Sequence, residues 1–168
     1  TMLIPKQKGN MEELTYLYEN SLKACEIAGQ LSEISDKAKE QQLSYIQSEV
    51  DELKVALEQG DLVEQLDACQ DILVTVFGYL AKLEKQGAMI GKACIKTADN
   101  NLSKFPDSLG VASATQHFYK EVKGVNTVMQ FNEKHKRYVI RNHNGKYLKC
   151  KGFVENDLSD CFMKGEEE

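Results

Sequence analysis

The chain has 168 residues, of which 42% are hydrophobic and 28% are charged, and its formal net charge is −5 at pH 7. This composition is typical of one soluble globular domain and excludes collagen-like and disordered chains. No apolar run approaches the roughly 20 residues that a membrane-spanning helix needs, so we expect no membrane partner. The five cysteines form no CxxC pair, which indicates free thiols in a reducing cytoplasm.

The net charge hides a division along the chain. Residues 11–71 hold fifteen acids and four bases, whereas residues 101–153 hold ten bases and three acids. A site that joins metal ions to phosphates requires groups of both signs. Two separate solvated surfaces would give the same numbers, so charge alone leaves both interpretations open.

Hydrophobic periodicity predicts five helices in chain order, at about residues 11–28, 36–58, 61–86, 89–99 and 112–123. The pattern then changes, and the segments YVIRN and KYLKC flank Asn144 and Gly145, a pair typical of a β-hairpin turn. We therefore predict a mainly all-α fold, a helical bundle with a small C-terminal β-hairpin. We divide the chain into an N-terminal extension, the helical bundle, a hairpin that completes the same domain, and an acidic tail with a disordered end, over residues 1–10, 11–123, 124–155 and 156–168.

The second and third helices are predicted to form a hairpin. Gly60 stands where a left-handed C-cap favours glycine, and Asp61 with Glu64 is typical of a capping-box start. Helices joined by one or two residues fold back on each other in antiparallel fashion. Residues 72–81 of the third helix are apolar on almost every side, so we expect neighbours all round this segment.

Two pairs of carboxylates lie on this hairpin. Glu49 and Glu52 are three residues apart and share one helix face, a pattern that a solvated surface also gives. Asp67 and Asp71 are four residues apart, a spacing at which like charges destabilise a helix, and they lie in a segment that we expect to be buried. An unpaired buried carboxylate costs several kcal/mol, so this pair requires a metal ion or, in the alternative interpretation, polar neighbours that cap it.

The two pairs are predicted to lie level with each other. Glu49 lies 11 residues before Gly60, and Asp71 lies 11 residues after it. Glu52 lies 8 residues before Gly60, and Asp67 lies 7 after it. Because both helices rise about 1.5 Å per residue, the four carboxylates can converge on one patch. Oxygen ligands favour Mg²⁺, with Mn²⁺ as the alternative, and magnesium is commonly held together with substrate phosphates.

These motifs resemble those of the all-α nucleoside triphosphate pyrophosphohydrolases, a superfamily that includes MazG. Its ExxE motif is matched by Glu49 and Glu52. Its second motif, usually ExxD, is matched by Asp71, but Ala68 stands three residues earlier and the acid is displaced to Asp67. The resulting DxxxD pattern is similar to that of a phage-type MazG-like subgroup.

Two later segments extend the resemblance to about residues 45–155. An N-x-S-K segment is matched from Asn101 to Lys104, and a G-K-x-x-K hairpin is matched by Gly145, Lys146 and Lys149. The resemblance implies that Lys104, Lys146 and Lys149 contact phosphates and that Asn101 contacts sugar or phosphate.

The resemblance also implies an activity. Water would cleave a nucleoside triphosphate between its α and β phosphorus atoms, which releases a monophosphate and pyrophosphate. Glu49, Glu52 and Asp71 would be direct metal ligands, and Asp67 would be a ligand or would orient a water. Relatives are dimers or tetramers, so we expect a homodimer or homotetramer. We expect a deoxynucleotide substrate such as dGTP, dUTP or dCTP, in the host cytoplasm if the chain is phage-encoded.

Two alternatives stay open. The first is phosphoribosyl-ATP pyrophosphohydrolase, an enzyme of the same fold. The second is a helical interaction protein whose basic hairpin binds nucleic acid through Lys134, Lys136, Arg137, Arg141, Lys146, Lys149 and Lys151, with Tyr138 and Tyr147. The net charge of −5 argues against nucleic acid as a partner, and this alternative has no use for Asp67 and Asp71.

Overall fold

The computed structural model of the chain describes residues 11–32 and 34–163. In this part, five helices account for most of the ordered structure: α1 (Met11–Ile27), α2 (Asp36–Gln59), α3 (Leu62–Lys85), α4 (Ile90–Leu102) and α5 (Leu109–Lys123). The strands are β1 (Thr127–Asn132), β2 (Arg137–Asn142) and β3 (Tyr147–Leu148), and a short 3-10 helix follows at Ser159–Cys161. The prediction of a mainly helical chain with a small C-terminal antiparallel sheet is confirmed.

The chain divides into two compact units between Ala88 and Met89. The first unit contains α1, α2 and α3, and the second contains α4, α5 and the sheet. None of the described helices is long and apolar enough to cross a membrane. The predicted N-terminal extension and the end of the acidic tail lie outside the described residues.

Local signals close the hairpin of α2 and α3 as predicted. Gly60 has φ 69°, and its N–H donates to the C=O of Leu57 at 3.1 Å. The N–H of Asp61 donates to the C=O of Ala56 at 3.1 Å, which completes a Schellman-type C-cap. The Asp61 carboxylate then caps α3 by accepting from the N–H of Glu64. In a capping box, the Glu64 side chain would accept a hydrogen bond from the Asp61 N–H. Here that N–H donates to the C=O of Ala56 instead, so the cap is made by the Asp61 carboxylate.

Small residues let the helices of the first unit approach closely. Ala56 and Ala68 are buried between α2 and α3, and the ring of Tyr18 on α1 meets that of Phe77 on α3 edge-on at 5.1 Å. The expectation of neighbours on every side of residues 72–81 is wrong, since Val74 is 36% exposed and its neighbours are half-buried. Among the described helices, α1 and α2 pack on α3, and the side of α3 that carries Val74 is exposed.

The second unit contains one strand that the sequence did not predict. The β2–β3 hairpin forms around Gly145, which has φ 77°, as the Asn-Gly pair predicted. Strand β1 adds to the other edge of β2, and Met129 lies opposite the fully buried Ile140. Helix α5 packs on β1 and β2, and it begins after Ser108, whose hydroxyl accepts from the N–H of Val111.

Candidate functional site

The four carboxylates predicted as metal ligands all lie on the α2–α3 hairpin and influence one another. The pKa of Glu49 is raised, first by burial and then by the negative charges of Glu52, Asp71 and Asp67. The charges of the other three carboxylates therefore all act on the Glu49 carboxyl. We call these four residues the carboxylate cluster.

The burial expected for this cluster is wrong in part. Glu49 is half-buried, but Glu52, Asp67 and Asp71 are exposed. The reason is the exposed side of α3, which leaves the aspartates accessible although apolar residues follow them in sequence. Because Asp67 and Asp71 are exposed, neither needs a cation to offset a cost of burial. The case for a cation then depends on the negative charge that the four carboxylates bring to one side of the hairpin.

The carboxylate cluster differs from Asp51, an acid of the same hairpin, in its partners. Within the described residues, none of its four side chains forms a hydrogen bond or an ion pair with a basic side chain. Asp51, two positions from Glu49, accepts hydrogen bonds from Lys54 at 2.9 Å and from Gln47 at 3.0 Å, which lower its pKa. The negative charge of Asp51 is therefore balanced locally, whereas the four carboxylates of the cluster have no basic partner among the described residues.

An acidic cleft of about 400 Å³ opens between α2 and α3 beside the cluster. Glu52 and Asp67 line it from opposite helices, and Asp51 and Glu64 add two more carboxylates. Its remaining lining includes Ser48, Val55 and Gln59. A triphosphate would be repelled from such a cleft unless cations stood between the phosphates and the carboxylates.

The donor set fits a hard divalent cation. Among the described residues, no three His, Cys, Asp or Glu side chains stand close enough together to form a ready metal cage. Magnesium does not require one, because it keeps several waters and is usually held by one or two carboxylates with substrate phosphates. The cluster offers four unpaired carboxylates and an open cleft, which suit Mg²⁺ or Mn²⁺ and not a closed zinc site.

The residues predicted to contact substrate lie in the second unit, where α4 ends beside β3. Lys104 donates to Oδ1 of Asn101 at 2.7 Å, so the two predicted residues form one polar pair. The C=O of Lys104 accepts from the N–H of Cys150 at 3.0 Å, and the ring of Phe105 lies 5.2 Å from that of Tyr147. The two later segments of the resemblance are thus adjacent within this unit.

The two hairpin lysines differ from each other. Lys149 forms an ion pair with Glu155, and its ammonium lies 4.7 Å from the centre of the Phe153 ring. The exposed Lys146 follows Gly145 in the turn, and its N–H donates to Oδ1 of Asn142. Lys104 and Lys146 are therefore better placed to offer a charge to a ligand than Lys149, whose charge already has a partner.

The aromatic residues of the proposed nucleic-acid hairpin do not share a surface. Tyr147 lies opposite Arg141 on β2, three positions from Tyr138, so the two tyrosines project from opposite faces of the sheet. Tyr138 packs on Phe131 at 4.7 Å, and Lys136 pairs with Glu133. This arrangement divides the basic and aromatic residues that a stacking platform would need on one side.

The burial of one lysine was not predicted from the sequence. Lys82, near the end of α3, is only 2% exposed and donates to Oε1 of Gln42 at 3.0 Å. Its position suggested an ordinary basic residue in a last helical turn, which favours cations. The signal that could have exposed it is its place between Ala81 and Leu83, on a helix whose neighbouring positions are apolar.

The comparisons with known proteins add no relative to this geometry. No family model, curated protein or solved structure matches the chain.

Proposed function

We propose that the chain is a metal-dependent nucleoside triphosphate pyrophosphohydrolase, which converts a nucleotide and water to a monophosphate and pyrophosphate. The observation that supports this most is the carboxylate cluster, whose like charges meet across the hairpin without a basic partner among the described residues. Such a cluster has a clear use when cations bind it, and cations in turn attract phosphates. The resemblance of the four motifs to the all-α pyrophosphohydrolases supplies the reaction type.

Glu49, Glu52 and Asp71 would hold Mg²⁺ or Mn²⁺, and Asp67 would either join them or orient the attacking water. When bound, the metal ions would neutralise the charge of the phosphate oxygens and favour in-line attack. The raised pKa of Glu49 is consistent with this role, because a neighbouring cation relieves the repulsion that makes its ionisation costly.

As the resemblance implies, basic side chains of the second unit would contact the phosphates of the substrate. Lys104, positioned by Asn101, and Lys146 are the first candidates, and Lys149 would have to leave Glu155 to join them. A lysine acts on a phosphate as a point charge, without the fixed bidentate geometry of arginine. We expect a deoxynucleotide such as dGTP, dUTP or dCTP as the substrate.

A second copy of the chain would complete the first unit. More than half of each side chain is exposed for a group of apolar residues near the hairpin turn, namely Val55, Leu57, Leu62, Val63 and Leu66. Large exposed apolar residues are a feature of subunit contacts. We therefore propose a homodimer or homotetramer, which analytical ultracentrifugation of the purified chain tests, with Leu62→Glu expected to give monomers.

A substrate panel tests the activity. Pyrophosphate release is measured with the eight common NTPs and dNTPs and with dUTP, in Mg²⁺ and in excess EDTA. We expect release from one or a few deoxynucleotides, and none in EDTA. Release that persists unchanged in EDTA would contradict the metal-dependent reaction.

The same panel separates the alternatives. Turnover of phosphoribosyl-ATP in place of all dNTPs would identify the histidine-synthesis reaction. Intact nucleotides, together with strongly salt-dependent binding of DNA, would identify the nucleic-acid-binding protein instead.

A further inference from the structure

The first unit holds a buried lysine whose charge has no acidic partner within the described residues. The ammonium of Lys82 donates to Oε1 of Gln42 at 3.0 Å and approaches the C=O of Gly78 at 3.5 Å, and both acceptors are neutral. Lys39 on α2 and Lys54, by contrast, each pair with an aspartate. A buried cation without a counter-charge costs several kcal/mol, so this position favours the binding of an anion.

The side chain that accepts the hydrogen bond from Lys82 is held in a fixed position. Gln42 is 5% exposed, and its Nε2 donates to the C=O of Thr75 at 2.8 Å, which fixes its Oε1 toward Lys82. A Cβ on Gly78 would stand 2.7 Å from Nε2 of Gln42, so only glycine at this position admits the glutamine. Glycine inside a helix costs about 0.5–1 kcal/mol relative to alanine, and here that cost accompanies the polar pair.

A small cavity of about 230 Å³ reaches this ammonium. Lys82 lines it together with polar groups of α2 and of the turn after α1, namely Gln30, Ser32, Gln41, Gln42 and Tyr45. None of the described residues that line it is an aspartate or a glutamate. The cavity is several times larger than the roughly 30 Å³ of one water. Ser32, Gln41 and Gln42 already donate within the protein, so the Gln30 amide and the Tyr45 hydroxyl are the donors that its described lining leaves to a ligand besides Lys82.

We propose that this cavity binds a small oxyanion, a phosphate or a carboxylate group, whose charge pairs with Lys82. Charge-assisted hydrogen bonds from the ammonium of Lys82, from the Gln30 amide and from the Tyr45 hydroxyl would hold it. Gln42 lies ten residues before Glu52 on α2, about 15 Å along the helix, so this pocket is separate from the acidic cleft. The inference does not depend on the proposed pyrophosphohydrolase activity.

Thermal unfolding tests the proposal on the full chain. Inorganic phosphate and, separately, acetate are titrated at constant ionic strength in EDTA, which prevents metal-bridged binding at the carboxylate cluster. We expect at least one of the two anions to raise the Tm in a saturable manner, since a ligand that binds only the native state stabilises it. A response to phosphate alone assigns a phosphate ligand, and a response to acetate assigns a carboxylate.

Variants locate the effect. Lys82→Met should weaken anion binding at least about tenfold, because a hydrogen bond to a charged group is lost. Lys39→Met is the matched control, since Lys39 is on the same hairpin but already pairs with Asp36, and it should keep the wild-type response. The proposal is overturned if neither anion has a saturable effect on the wild type, or if Lys82→Met responds as the wild type does.

Two further variants decide the matter if Lys82→Met does not fold. Gln30 and Gln41 are exposed at the rim of the cavity, so alanine at either position leaves the core unchanged. Weaker anion binding in Gln30→Ala and Gln41→Ala supports the site, and unchanged affinity in both overturns it.

Discussion

Two carboxylates, Asp160 in the second unit and Glu49 in the first, have opposite electrostatic environments. In the second unit, Asp160 accepts hydrogen bonds from Lys96 and Lys92, which lower its pKa to about 2, and Glu155 pairs with Lys149. In the first unit, the carboxylate cluster has no basic partner among the described residues, and burial and like charges raise the pKa of Glu49. Lysine partners stabilise the ionised form of Asp160, whereas the raised pKa of Glu49 means that its ionisation costs stability, which is typical of functional sites.

The contrast also holds within one helix, so it does not follow from composition. Asp51 and Glu49 are two positions apart on α2, yet hydrogen bonds from Lys54 and Gln47 lower the pKa of Asp51 while burial and charge raise that of Glu49. The same helix therefore carries a lysine, Lys54, but this lysine pairs with Asp51 and not with Glu49. Each substitution below tests one side of this difference.

The largest effect is expected from Asp71→Asn. If the cluster holds the metal ions of the reaction, this change should lower pyrophosphate release by roughly 1000-fold, the equivalent of several kcal/mol in the barrier. Because Asp71 is exposed and asparagine has the same shape, the Tm should stay the same or rise. Asp51→Asn is the matched control and should keep most of the activity. Full activity in Asp71→Asn would remove Asp71 from the metal site.

A smaller loss is expected when a phosphate contact is removed from the second unit. Lys104→Ala should raise KM about tenfold with a smaller change in kcat, since a charged hydrogen bond contributes about 1.5–3 kcal/mol. Lys136, which pairs with Glu133, provides the control, and Lys136→Ala should leave KM unchanged. Equal KM values for the two variants would show that Lys104 does not contact the substrate. Steady-state rates over a range of nucleotide concentrations give both constants.

The hairpin of α2 and α3 could be predicted because it depends on local signals. Gly60 and Asp61 act within a few residues of the turn, and a constant helical rise then fixes which positions lie opposite each other. Strand β1 could not be predicted in this way. Its turn to β2 ends at Lys136, which has φ 52°, a conformation that usually selects glycine or asparagine. The turn therefore carries no sequence signal.

Burial was harder to predict than helix formation. Apolar residues at 72–81 indicate that the segment could be covered, but the number of neighbouring helices is a property of the whole fold, and Val74 stays partly open. The environment of Lys82 depends on Gln42, forty residues earlier in the chain. No periodicity within one helix can reveal a contact of that range.

Neutral substitutions of Glu49 and Asp51 are expected to change the Tm in opposite directions. The folded pKa of Glu49 lies above the ordinary value of 4.5, so ionisation disfavours the native state at neutral pH. In EDTA at pH 7, Glu49→Gln should raise the Tm by about 1–3 °C, the size expected for the loss of like-charge contacts. The gain should vanish below pH 4, where the carboxyl is protonated in both states. Asp51→Asn should lower the Tm at pH 7, and the same sign for both variants would contradict the contrast.

The smallest effect is expected at Asp160, where the charge is exposed and already paired. Its folded pKa of about 2 lies below the ordinary 3.8, so its ion pairs stabilise the native state above pH 4 and lose this effect as the pH falls toward 2. Asp160→Asn should therefore lower the Tm slightly at pH 7, and the difference from the wild type should disappear near pH 2. Salt should weaken the effect, because exposed pairs are screened. A rise in Tm for Asp160→Asn, like that expected for Glu49→Gln, would mean that pairing with lysine does not distinguish the two units.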